Sequence, residues 1–302
     1  MDRLHREGLV LDILDGGPGD GELVVLLHGF PQDATTWGRV VPHLHRAGLR
    51  TLAPHQRGYS PGARPRRVSA YRMEELVGDV LALLDGAGAR RAHVVGHDWG
   101  GAVAWALAQR HPERVASLVV LSTPHPEALG WAVRHGDQAR RSWYILAFQL
   151  PVLPQVLGAR MLRSGALQRW GVPGDDSQRY AARLGRPGAL RGPVNWYRAA
   201  VRGLFRRSRA GGGDVTVPTT YVWGSQDPFL GRDAAERTAR HVSGDYRFVE
   251  VDGGHWLAER QPVLVAREIL ARIRAGEQGT CDSRPAACPD DDTQVVIGIL
   301  PR

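Results

Sequence analysis

At 302 residues, with 43% hydrophobic and 23% charged side chains, the chain is long and apolar enough to bury a large core, which excludes an intrinsically disordered protein. A net charge of +8 suggests nucleic acid at first sight. Yet every basic residue is arginine, and outside Arg64–Arg67 and Arg202–Arg209 they are scattered as on a solvated face, so no nucleic-acid partner is expected. No segment approaches the ~20 apolar residues that cross a bilayer, and Met1–Arg6 precedes no long apolar run, so neither a membrane partner nor a secretory leader is expected.

The first strand is read at Leu23–Leu27, a short apolar run that ends in His28-Gly29-Phe30-Pro31. A loop at that point can turn the Phe30 N–H back toward whatever lies beyond the neighbouring strand. Strand Arg50–Ala53, helix Met73–Leu84 and strand Ala92–Val95 follow, the alternation of a parallel sheet covered on both faces.

Val94-Val95-Gly96-His97-Asp98-Trp99-Gly100-Gly101 is the most informative stretch. An apolar strand runs into a glycine-flanked turn and then into a helix, read at Gly101–Arg110. This is the pattern of a nucleophile elbow, with aspartate where serine usually stands. A capping aspartate is the duller reading, but strand, paired glycines and helix together favour a nucleophile. A carboxylate is ionised at neutral pH and attacks carbon without a base to deprotonate it. Its natural targets are sp3 carbons bearing a leaving group, such as an epoxide or an alkyl halide. Phe30 and Trp99 N–H groups would form the oxyanion hole.

After strand Ala116–Leu121 the alternation stops. Residues 124–216 carry Trp, Tyr, Leu and Arg at helical spacings and read as a helical lid inserted into the core of residues 1–123 and 217–275, with Gly211–Gly213 as a flexible return. Strand Thr219–Val222 leads into Asp227, which can orient a histidine. Glu127, after the preceding strand, is a rival for that duty. Strand Tyr246–Val251 leads through Gly253-Gly254 to His255, the expected base for a water molecule. A last helix is read at Pro262–Arg274, and residues 276–302, which hold Cys281 and Cys288, as a disordered tail. A core without cysteine suits a reducing, cytoplasmic location. Nine tryptophans, several beside these motifs, suggest an apolar pocket, with His28, Trp37, Trp143, Trp196 and Trp256 expected to contact substrate.

On these motifs the chain resembles epoxide hydrolases of the α/β-hydrolase fold over residues 8–275. The matching pieces are HGFP at His28–Pro31, RGYS at Arg57–Ser60, GHDWGG at Gly96–Gly101, GSQD at Gly224–Asp227 and GGHW at Gly253–Trp256. In the lid, SWYILAFQLP at Ser142–Pro151 and NWYR at Asn195–Arg198 match as well. The resemblance implies a mostly parallel sheet flanked by helices with a cap, and hydrolysis of an apolar epoxide to a vicinal diol through an ester on Asp98. It implies that Tyr144 and Tyr197 bind the epoxide oxygen; residue pattern alone would give these tyrosines a packing role. His55 and Ala147 depart from the pattern, which often has aspartate and a larger aromatic there, and Ala147 is expected to widen the pocket. No metal or organic cofactor is expected, and a homodimer is compatible with the sequence. Two alternatives stand beside this reading. A dehalogenase would use the same nucleophile, although Phe30 and Trp99 replace the asparagine and arginine often found in haloalkane and haloacid enzymes. A non-catalytic small-molecule-binding scaffold would not need an intact site.

Overall fold

The computed structural model describes residues 1–204 and 213–281. Eight strands form one sheet in the order β1-β2-β4-β3-β5-β6-β7-β8. They are β1 (Arg3–Arg6), β2 (Leu9–Gly16), β3 (Leu23–Leu27), β4 (Arg50–Pro54), β5 (Ala92–His97), β6 (Val115–Leu121), β7 (Thr219–Gly224) and β8 (Tyr246–Val251). From β4 to β8 all pairings are parallel, and only β1–β2 and β2–β4 are antiparallel. The six parallel strands coincide with the runs read from sequence to within three residues at either end.

The β1–β2 hairpin was not among the expected elements. Arg6 pairs with Leu9, leaving a two-residue loop, Glu7-Gly8, in which both residues have positive φ (52° and 76°). Such a turn matches the right-handed twist of the flanking strands. Leu11 and Ile13 alternate inward, a period-2 signal diluted by the apolar Leu9, Val10 and Leu14 around them.

Helices cover both faces because central parallel strands expose apolar side chains on each side. On one face, α2 (Met73–Gly86) and α3 (Trp99–Arg110) close a core that includes Val25, Leu27, Val94 and Trp105. On the other, α1 (Val41–Arg46) and α13 (Pro262–Cys281) pack Leu44, Val265 and Ile269 over Val24, Leu26 and Val119. The last helix continues past Arg274 to Cys281: Gly276 alone does not stop a helix, and the next proline in the sequence is Pro285. The rest of the expected tail, Gly211 and Gly212 lie outside the described residues.

Between β6 and β7 the chain forms α4 (Pro126–His135), α5 (Gln138–Arg141), α6 (Tyr144–Ala147), α7 (Leu153–Arg163), α8 (Ala166–Arg169), α9 (Gly174–Leu184) and α10 (Arg191–Leu204). Short helices α11 (Arg232–Arg237) and α12 (Leu257–Arg260) follow β7 and β8 respectively. The inserted helices sit on the sheet's carboxyl end through specific polar contacts. Trp196 of α10 donates its indole N–H to the Arg57 carbonyl at 2.8 Å, and the buried Arg57 is itself clamped by Asp79 of α2 at 2.7 and 2.6 Å. A bidentate pair of this kind fixes direction as well as distance. From α9, Tyr180 donates to Glu259 Oε1 at 2.9 Å, and Asp176 accepts from Arg39 at 2.6 Å. Among the described residues no helix is long and apolar enough to cross a membrane.

Candidate active site

Asp98 stands at the junction of β5 and α3 with φ 52° and ψ −120°, a conformation that side-chain-bearing residues avoid unless the surroundings impose it. Its neighbours show what does. A Cβ on Gly96 would lie 2.4 Å from the Gly100 carbonyl oxygen, and one on Gly100 would lie 2.2 Å from that of Leu27. The turn is therefore pressed onto β3. Only glycine permits the approach, and the strained apex pushes the Asp98 side chain outward.

The loop after β3 meets it there. A Cβ on Gly29 would fall 2.3 Å from the Asp98 Cβ, and the Phe30 N–H donates to Asp98 Oδ1 at 2.8 Å. The second oxygen, Oδ2, faces His255 Nε2 at 3.5 Å. The carboxylate is thus held with one oxygen on a backbone donor and the other facing His255. Burial raises the affinity of Asp98 for a proton, but His255, His97 and the Phe30 N–H outweigh it and hold the carboxyl below its usual range.

His255 follows β8 and is buried. Its Nδ1 lies 2.7 Å from Asp227 Oδ2, while Asp227 Oδ1 accepts the N–H groups of Phe229 and Leu230 at 2.8 and 3.1 Å. The two loops are in backbone contact, since a Cβ on Gly224 would meet the Gly253 oxygen at 2.4 Å. Glu127, the rival acid, is exposed on the first turn of α4, and the acid within reach of His255 is Asp227. Burial alone would strip the imidazole of its proton. Two carboxylates, Asp227 and Asp98, overcome that and raise its pKa to about 10.

Above these groups lies a cavity of about 610 Å³ with mostly apolar walls. Asp98 and His255 lie on its floor, and Tyr144 of α6 and Tyr197 of α10 belong to its roof. The two phenol rings stand 6.1 Å apart, edge to face, and Tyr197 packs 4.9 Å from Trp99 and 5.5 Å from Phe30. Burial pushes both phenols above their usual pKa, so they remain hydrogen donors at neutral pH.

Of the five residues expected to contact substrate, Trp143 and Trp256 line the cavity and three do not. Trp196 precedes Tyr197 on one helix, and adjacent helical residues point about 100° apart; with Tyr197 toward the cavity, Trp196 turns down onto Tyr59 and the Arg57 carbonyl. Trp37 is 1% exposed and packs in the core on the far face of the sheet. His28 is buried with its ring between the Gly29 carbonyl and the Gln56 N–H, and burial lowers its pKa to about 3. It braces two loops. Phe148, Phe229, Leu157 and Met161 were not singled out, although all four line the cavity. Phe229, whose ring centroid is 5.1 Å from that of His255, follows the Asp227-Pro228 turn, which was the available clue. Ala147 is also in the wall. Trp256 ties floor to roof, donating its indole N–H to the Trp170 carbonyl at 2.6 Å.

Among the described residues no His/Cys/Asp/Glu cluster has the form of a metal site. The arrangement offers an ionised carboxylate, an imidazole backed by a second carboxylate, a backbone donor and two phenols around one apolar space.

A family model described as the alpha/beta hydrolase fold matches residues 22–262. Epoxide hydrolase A of Mycobacterium tuberculosis is 34% identical over 310 aligned residues, covering 88% of this chain and 95% of that protein. Mouse epoxide hydrolase 4 is 31% identical, covering 90% and 78% respectively. Among solved structures, epoxide hydrolase A from Mycobacterium thermoresistibile superposes with a TM-score of 0.77 at 28% identity, over 90% of this chain and 97% of that one.

Proposed function

Because the chain belongs to the epoxide hydrolase family of the α/β-hydrolase fold, we propose that it converts an apolar epoxide and water to a vicinal diol through a covalent ester on Asp98. The observation that carries this reading is the opposition of groups across the cavity. A carboxylate with one oxygen on the Phe30 N–H and the other facing His255 lies on the floor, and two phenols occupy the roof. An in-line displacement needs a nucleophile on one side of the carbon and a donor for the leaving oxygen on the other.

In the first step Asp98 Oδ2 attacks a ring carbon and the C–O bond of the epoxide breaks. Its oxygen takes a proton from Tyr144 or Tyr197. The resting His255 carries a proton because two carboxylates hold it there. Esterification neutralises Asp98 and removes one of them. The His255 proton then returns to the tyrosinate, leaving a neutral imidazole. That imidazole takes a proton from water, and the hydroxide adds to the ester carbonyl. The oxyanion forms on Oδ1, already bonded to the Phe30 N–H, with the Trp99 N–H as second donor. Collapse releases the diol alkoxide, which takes the carboxyl proton. Asp98 is again a carboxylate and His255 again charged, so the cycle balances and uses no metal or organic cofactor.

Water oxygen must therefore enter Asp98 before it enters product. One turnover of styrene oxide in heavy-oxygen water, followed by mass analysis of the peptide carrying Asp98, is expected to show label in that peptide and not in the diol. Label in the diol with none in Asp98 would overturn the ester route. Halide release from bromoalkanes without diol formation from epoxides would instead favour a dehalogenase.

A further inference from the structure

Apolar side chains left in water are concentrated on one part of the surface. Of the twelve large ones exposed among the described residues, nine lie between Trp143 and Trp170, on α6, α7, α8 and the turns beside them. Some of these line the cavity, so part of their exposure is to the cavity itself. Leu146, Val152 and Val156 do not line it, yet they are 72%, 68% and 46% exposed. The geometry of α7 accounts for the division. Leu153, Leu157 and Met161, at i, i+4 and i+8, form the stripe that lines the cavity. Val156, Arg160 and Arg163, at i, i+4 and i+7, form a second, exposed stripe.

The charge of this stretch is one-sided. From Gln138 to Gly174 the chain carries five arginines and no Asp or Glu. Of the acids that flank it, Asp137 is paired with Arg141 and Asp176 with Arg39 and Arg179, while Asp175 stands exposed at its end. Arg160 and Arg169 are exposed, and their guanidinium groups make no ion pair among the described residues.

We propose that the outer face of α6 to α8 docks on a membrane surface that carries anionic lipid. Aliphatic side chains edged by arginines have the chemistry of an interfacial helix. The apolar groups enter the acyl boundary, and the long arginine stems keep their charge among the headgroups. A second copy of the chain fits this face less well, because a two-fold contact would set five arginines against five. Docking needs no spanning segment, so it agrees with the lack, among the described residues, of a helix able to cross a bilayer. The expectation of no membrane partner was drawn from spanning length alone. Because α7 meets the cavity on one side and water on the other, a docked molecule would hold its cavity about one helix diameter, roughly 10 Å, from the lipid. That this shortens the path of an apolar epoxide rests on the hydrolysis reading; the docking does not.

The test is co-sedimentation of the full-length protein with vesicles of phosphatidylcholine containing about 30% phosphatidylserine, and with vesicles of phosphatidylcholine alone. Binding to the anionic vesicles is expected, weaker by at least about tenfold without phosphatidylserine or when salt rises from about 0.1 to about 0.5 M. Arg160→Gln combined with Arg169→Gln should weaken it by about 10- to 30-fold, and Leu146→Ser combined with Val156→Ser by a similar factor. All four positions are exposed and none lines the cavity, so both double variants should melt as the native protein does, which separates lost docking from lost folding. No binding to either vesicle, or equal binding to both, would overturn the proposal. Binding that both double variants leave unchanged would also overturn it, by placing the contact on another surface. With a photoreactive analogue in place of Val156, a crosslink to a second copy or to residues 282–302 instead of lipid would do the same. No substrate is present in these measurements, so their failure leaves the hydrolysis reading untouched.

Discussion

The floor and the roof of the cavity differ in how tightly the chain holds them. The floor rests on β5, whose residues are all buried, and on loops pressed together at glycines where no Cβ would fit. Tyr197 of the roof is buried, but much of the roof carries apolar residues half in water: Trp143 is 68% exposed, Leu157 45% and Trp170 46%, and all three line the cavity. Chemistry that tolerates little positional error sits where packing overdetermines the backbone. Groups that form the apolar roof sit where local structure is more thinly packed.

That contrast can be broken first at the floor. His255→Gln should reduce steady-state diol formation by at least about a thousand-fold while leaving ester formation possible, so intact-protein mass after substrate addition should show an adduct that persists. Loss of both adduct and turnover would mean that His255 also governs the first step. At the roof the expected effects are smaller. Tyr144→Phe and Tyr197→Phe should each slow ester formation by about 10- to 100-fold and leave ester decay nearly unchanged, because each removes one of two donors to the same oxygen. Stopped-flow quenching of the tryptophans would follow the two phases.

The smallest effect concerns stability. The pKa of His255 is raised in the folded protein to about 10, against roughly 6.5 when unfolded. Its contribution to stability is therefore present in full below about pH 6.5 and is lost as pH rises through about 10. The melting temperature of the native protein should fall across that window more steeply than that of His255→Gln. Parallel curves for the two proteins would contradict the buried ion pairs as drawn.

The loops that carry Phe30, Asp98, Asp227 and His255 were legible because each follows a parallel strand written as a short apolar run, and the glycines beside them mark close backbone approach. The roof was legible only as a helical block. Its boundaries depend on tertiary contacts such as Trp196 to Arg57 and Tyr180 to Glu259, which join residues far apart in the chain. Side-chain direction was the weakest point. Trp37 and Trp196 lie close to motif residues in sequence, yet a 3-10 turn and an α-helix rotate them away from the cavity. His28 is likewise part of a motif and is consumed in holding the backbone of Gln56. Proximity along the chain does not specify a face.

Trp256 follows His255 directly, and its indole N–H is bonded to the carbonyl of Trp170 in the wall of the cavity. Outward movement of that wall must either break this bond or drag Trp256 with it. Movement of that part of the wall is thus mechanically coupled to the seat of the His255 imidazole.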